Sequence, residues 1–272
     1  MVTRAVSSWS LHRTLGQFAA EDSAAGGGRF MDSPTSPNGL PLLDLPAELR
    51  ARGYDAMQIC HFHLPSRSTG YQDELRAALA DSGIVLDALL IDDGDLTAPN
   101  VADANRAESW IGGWLDTAVA LGAQRARVCA GRSNPSTATL QESVRRLVRL
   151  ASAHPKVRVV TENWMEMTPD AASVLALFEA TGDAIGLLID LGNWRGSGKY
   201  DELAAIASLA ESCHAKCHFS ADGADREDFR HSLDVLKASG YGGPLALIYD
   251  GPDDDEWAGL DAEYEIVREV FA

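Results

Sequence analysis

Apolar positions along this chain follow two rhythms in turn. Trp110, Trp114, Ala118 and Leu121 step by three and four, with Ile111 and Leu115 beside them. Leu140, Val144, Leu147, Val148 and Ala151 do likewise, as do Phe229, Leu233 and Leu236. That spacing predicts helices with one apolar face. Between them lie short, almost wholly apolar runs, the pattern of strands covered on both faces. About eight such runs stand out, near 3–10, 54–62, 84–92, 125–130, 157–162, 184–190, 212–218 and 244–250.

A glycine marks the return from helix to strand at Gly53, Gly83, Gly122, Gly182 and Gly240. Glycine just past a helix end takes up the left-handed conformation at little cost. Strands that alternate with helices pair in parallel, and about eight units predict a closed (β/α)8 barrel rather than an open sheet. No linker divides the chain, so residues 1–272 are expected to form a single barrel domain. One connection is long: residues 16–40, after the first strand, are dominated by Gly, Ser and Pro. It reads as a loop, either a flexible lid or a surface insertion.

Composition narrows the classes. At 272 residues with 46% hydrophobic content, the chain has the size and apolar share of one soluble barrel. A net charge of −17 argues against nucleic-acid and anionic-membrane partners. No apolar run approaches the ~20 residues of a membrane span. The N-terminus shows no signal-peptide pattern, so the cytoplasm is the expected location. Cys60, Cys129, Cys213 and Cys217 form no C-x-x-C pair and read as buried thiols in a reducing compartment.

In a (β/α)8 barrel, chemistry is built at the C-terminal ends of the strands. Trp9 and His12 follow the first expected strand, and His61 and His63 end the second. The third finishes on Asp92, Asp93 and Asp95, and the fourth carries Arg127, with Arg132 just beyond. Glu162 and Asn163 end the fifth, Asp190 the sixth with Asn193 after it, and the seventh offers His214, Lys216 and His218 on one face. Two carboxylates and an imidazole from successive strand ends are a donor set for a divalent cation. Arg132 and Arg67 are candidates to meet a phosphate, or simply loop charges.

At "TENW", "LLIDLGN" and "HAK" the chain resembles the xylose isomerase-like sugar phosphate isomerase/epimerase barrels, over essentially its whole length. The resemblance implies a (β/α)8 barrel whose divalent metal is held from strands five to eight. It makes Glu162, Asp190 and His214 the metal ligands, and Lys216 the lysine of the H-x-K pattern. It also implies two carboxylates that take a proton from beside a carbonyl and return it. Two positions depart from the pattern. Asn193 stands where relatives that epimerise free ketoses often have His, and "GPLALIY" puts Ile248 where the eighth-strand Glu belongs. Asp250, two residues on, is a candidate fourth ligand, but two residues of strand rise about 6.6 Å, more than an Asp side chain spans.

The expected function is therefore a metal-dependent isomerase or epimerase of a sugar, sugar phosphate or polyol. Glu162 and Lys216 are the candidate acid–base groups, and Trp9, His12, His63, Asn193 and His218 the candidate substrate contacts. A dehydratase on the same scaffold and a non-catalytic sugar-binding barrel are the alternatives. With three protein ligands, Mn²⁺, Mg²⁺ or Zn²⁺ would be weakly held. A small carbohydrate-like molecule is the expected partner; a homo-oligomer is compatible with the sequence. The abasic-DNA endonuclease that shares this barrel needs more metal ligands and a cationic groove, which this charge disfavours.

Overall fold

The computed structural model describes residues 2–16, 38–220 and 223–271. The expected loop over 16–40 therefore lies, from 17 to 37, outside the described residues. Eight parallel strands close into a barrel: Thr3–Ser7, Ala56–Cys60, Val85–Ile91, Arg125–Val128, Arg158–Glu162, Gly186–Asp190, Ala210–Lys216 and Pro244–Ile248. Each pairs with its neighbour in sequence, and the first closes on the last with Ala5 opposite Ala246. Helices follow the strands, among them Val101–Leu121, Thr137–Ala153, Arg226–Ala238 and Glu256–Phe271. This is the (β/α)8 barrel that the alternation predicts.

Strand periodicity sorts the core into two zones. Outward residues such as Leu89, Ile91, Val159, Leu187 and Leu247 pack against the helices, where Ile111, Trp114, Leu147, Phe229 and Leu233 meet them. Inward residues fill the barrel: Ala5, Ala56 and Ala246 in one small cluster, and Cys60, Ala88, Leu90, Val160 and Leu188 in another. All five marker glycines have positive φ; Gly83 and Gly122 cap their helices at +67° and +75°.

Several strands are shorter than their apolar runs. The first stops at Ser7, whose side chain accepts the Trp9 N–H and starts a 3-10 turn over Ser8–Leu11. The second stops at Cys60 and a 3-10 turn takes up His61–His63. The seventh runs from Ala210 to Lys216, so His218 is past its end; the eighth ends at Ile248, short of Asp250. Apolar character continues through these turns, which is why it overstates strand length. A bulge interrupts the pairing of the second and third strands: Met57 faces Leu86 but Gln58 faces Ala88, leaving Asp87 as the extra residue.

Candidate functional site

Strands five, six and seven deliver three side chains to one point at the C-terminal mouth. Glu162 and Asp190 are terminal inward residues of their strands, and His214 lies in register with Asp190 across the sixth and seventh. One ligand atom from each of the three lies within 4.8 Å of the other two, and all three residues are buried. His214 Nδ1 is 3.5 Å from Glu162 Oε1 and 3.6 Å from Asp190 Oδ2.

Local structure fixes each carboxylate. Asp190 Oδ1 accepts the N–H groups of Gly192 (2.6 Å) and Asn193 (2.8 Å), so the turn after the sixth strand is folded around it. The Asn163 amide bridges to the Asp190 backbone in both directions, accepting its N–H at 2.7 Å and donating to its C=O at 3.0 Å. Asn193 Nδ2 then donates to Glu162 Oε1 at 2.8 Å. Lys216 reaches across Gly192, where any Cβ would come within 2.8 Å of the lysine Cγ. Only glycine leaves that path open.

The electrostatics follow from burial against charge. Burial alone would lower the His214 pKa, but the facing Glu162 and Asp190 carboxylates outweigh it and hold it up at about 9. Burial would raise that of Asp190, yet the His214 hydrogen bond and the Lys216 charge bring it below the usual carboxylate range. Lys216 is likewise held above its ordinary value: the Asp190, Asp250 and Glu162 charges overcome its desolvation.

These groups line a cavity of about 240 Å³. Trp9, Phe62 and Trp164 supply its aromatic wall, and Ser7, Cys60 and Leu90 come from the first three strands. Ile248, 4% exposed, is part of the wall on the eighth strand, where its neighbour in register is Lys216. Asp250 is at the rim, with its side chain 45% exposed and Oδ2 3.4 Å from Lys216 Nζ. It is not one of the three clustered residues.

A family model for xylose isomerase-like TIM barrels matches residues 46–269. The chain belongs to this family. No match appears among the curated proteins. Among solved structures, this xylose isomerase-like barrel is similar to an L-ribulose 3-epimerase at 18% identity and TM-score 0.69, over 100% of this chain and 99% of that one. It is similar to a D-allulose 3-epimerase from Methylomonas sp., solved with D-allulose, at 15% identity and TM-score 0.69, over 99% and 97%. A xylose isomerase-like barrel from Mycobacterium smegmatis in complex with magnesium matches at 13% identity and TM-score 0.67, over 100% and 97%. At these identities the likeness establishes the fold.

Within this xylose isomerase-like barrel, Trp9, Asn193, Glu162, Asp190, His214, Lys216 and Asp250 of the sequence-derived candidates face the cavity. His12, His63 and His218 do not line it. His12 stacks on Trp9 with ring centroids 4.9 Å apart, and its Nδ1 meets Trp9 O at 2.8 Å, so it backs the indole. His63 is buried against Ser8 Oγ at 2.8 Å, and burial together with the nearby His12 charge lowers its pKa to about 3. His218, beyond the seventh strand, meets Arg195 at 3.1 Å. The 3-10 turns and the strand end turn these rings aside. Arg132 is engaged by Asp93 at 3.1 Å, and Arg67 by Thr117 Oγ1 at 3.0 Å and the Gly113 carbonyl at 2.6 Å.

Sequence reasoning did not assign Arg127 and Asp92 to the site. Arg127, 3% exposed, lines the cavity, pairs closely with Asp92 and approaches Glu162 Oε2 at 3.2 Å. Burial would raise the Asp92 pKa, but Arg127 and His61 bring it down to about 2. The Arg127 guanidinium also lies over the Trp164 ring, 4.7 Å from its centroid. The signal was an arginine inside a short apolar strand, "RARV", which needs buried carboxylates for company. No helix among the described residues is long and apolar enough to cross a membrane.

Proposed function

We propose that this protein is a divalent-metal-dependent isomerase or epimerase of a carbohydrate-like substrate. The observation that carries the reading is the buried convergence of Glu162, Asp190 and His214 within 4.8 Å at the barrel mouth. Two oxygen donors and one nitrogen suit Mn²⁺, Mg²⁺ or Zn²⁺. The charge of the wall fits as well. With His214 neutral, as a metal ligand must be, four carboxylates (Asp92, Glu162, Asp190, Asp250) face two fixed cations (Arg127, Lys216), an excess of two negative charges that a divalent ion offsets. Such an ion would polarise a substrate carbonyl. The epimerases of similar fold and the magnesium complex support the class.

Glu162, held by Asn193 and backed by Arg127, is placed to take a proton from the carbon beside that carbonyl. Lys216 is placed to return one, because the eighth strand offers Ile248 where the family's second carboxylate is expected. Trp9, Phe62 and Trp164 supply apolar faces for the C–H side of a sugar ring and exclude water. Asn193 and the cavity rim provide hydrogen-bonding partners for hydroxyl groups.

Ile248 also favours a second reading. With one carboxylate base, removal of a proton followed by loss of a β-hydroxyl is a simpler reaction than a two-base exchange, and the protein would then be a dehydratase. One experiment separates them. Protein stripped with a chelator and reloaded with Mn²⁺ is incubated in D₂O with L-ribulose, D-allulose and a set of polyol ketones. Deuterium beside the carbonyl in a product of otherwise unchanged mass is the isomerase result; a product lighter by one water is the dehydratase result. Absence of both, together with absence of Mn²⁺ binding by calorimetry, overturns the enzyme reading in favour of a sugar-binding barrel.

A further inference from the structure

Beneath the cavity, a chain of buried polar side chains runs down the barrel interior from His214. His214 Nε2 lies 2.7 Å from Gln58 Oε1. Gln58 Nε2 donates to Asp87 Oδ2 at 2.8 Å and to Ser212 Oγ at 3.2 Å. Ser212 Oγ in turn donates to Asp87 Oδ2 at 3.0 Å, and Arg125 donates to Asp87 Oδ1. Gln58 and Ser212 are 0% exposed and Asp87 is 1% exposed. At such depth each polar atom needs a partner.

The order of donors and acceptors along this chain allows one arrangement. The Asp87 carboxylate, paired with Arg125, accepts from every neighbour it meets. The Gln58 NH₂ must therefore face Asp87, since the opposite amide orientation would set two oxygens against each other at 2.8 Å. Gln58 then offers its carbonyl oxygen to His214, so His214 Nε2 must carry a proton. The nitrogen turned to Glu162 and Asp190 is Nδ1.

From this the geometry points to Gln58, oriented by Asp87, as the positioning residue that keeps the His214 proton on Nε2 and reserves Nδ1 for a cation. The inference rests on the reading of His214 as a metal ligand, and it names how this chain prepares that ligand. A hydrogen bond to the far ring nitrogen fixes ring orientation and strengthens the ligating one, and its loss typically weakens metal binding 10–100-fold. The bulge on the third strand makes the device available. Ala88 and Leu90 face inward, so strict alternation would turn Asp87 out; as the extra residue it points in, beneath Gln58.

The test combines nitrogen-edited NMR of the histidine ring protons with Mn²⁺ calorimetry on wild type, Gln58→Leu and Gln58→Glu. In Gln58→Glu the new carboxyl shares one proton with Asp87, as close carboxyl pairs do, and still presents an oxygen to Nε2. Wild type should show a slowly exchanging proton on His214 Nε2 that persists when Zn²⁺ is added. Gln58→Leu should lose the slow exchange and bind Mn²⁺ 10–100-fold more weakly, and Gln58→Glu should recover the slow exchange. Loss of the Nε2 proton from wild type on adding Zn²⁺, or a Gln58→Leu protein with wild-type exchange and affinity, overturns the inference. If Gln58→Leu does not fold, the wild-type measurement with and without Zn²⁺ decides. If wild type binds neither ion, the metal reading fails on its own, while the exchange of the Nε2 proton in the three proteins still reports whether Gln58 holds the ring.

Discussion

Ile248 and Lys216 are direct neighbours in register across the eighth and seventh strands, and both face the cavity. An apolar group thus stands beside the cavity lysine at the point where a family carboxylate is expected. Ile248→Glu should place a carboxylate within reach of the Glu162–Asp190–His214 cluster and tighten Mn²⁺ binding about tenfold, ~1.4 kcal/mol. The apoprotein should melt at a lower temperature, because the added carboxylate is buried. Calorimetry and thermal melts of both proteins check this. An unchanged Mn²⁺ affinity would mean that Lys216, not the ion, takes the new carboxylate.

Asp250→Asn should leave Mn²⁺ affinity within about twofold, since the Asp250 carboxylate is partly exposed and turned to Lys216. A collapse of affinity in the same titration would instead make Asp250 the fourth ligand.

Lys216→Gln should lower kcat by about 10²–10⁴, the usual worth of a positioned acid or base, with Mn²⁺ affinity changed only a few-fold. The measurement is deuterium exchange into the substrate identified by the D₂O screen. A variant that exchanges at the wild-type rate would remove Lys216 from the chemistry.

The buried His63 predicts an acid limb in the stability of the apoprotein. Its folded pKa is lowered from 6.5 to about 3, so between those values the unfolded chain binds more protons than the native one. The contribution is fully present above pH 6.5 and is lost as pH falls toward 3, with a slope of up to about 1.4 kcal/mol per pH unit. His63→Gln should flatten that part of the profile relative to wild type. Parallel denaturation curves from pH 7 to 4 for the two proteins would refute it.

What the sequence made legible follows strand physics. Glu162, Asp190 and His214 could be placed because each lies on a short apolar strand whose alternation survives to its end. His12, His63 and His218 could not, because the chain leaves its strands at Ser7, Cys60 and Lys216, before reaching them, while remaining apolar enough to look continuous. Gln58 stood in plain sight as an amide inside "AMQIC", but its partner Asp87 was hidden. Its inward direction comes from a pairing irregularity that no periodicity records. Arg127 reads as a cation within the fourth strand, yet its link to Asp92 and Glu162 depends on how the third, fourth and fifth strands stagger.

The extra residue in the third strand gives that strand two independent halves. Its lower half, up to Leu86, and its upper half, from Ala88 to Ile91, keep opposite phases. Deleting Asp87 would bring the halves into step with Leu86 still outward and Ala88 still inward, so the strand would keep its faces and lose only the inward carboxylate. A third strand borrowed from a barrel without that residue would therefore sit in this wall with its inner and outer faces intact, yet leave Gln58 without the carboxylate that sets which way its amide points.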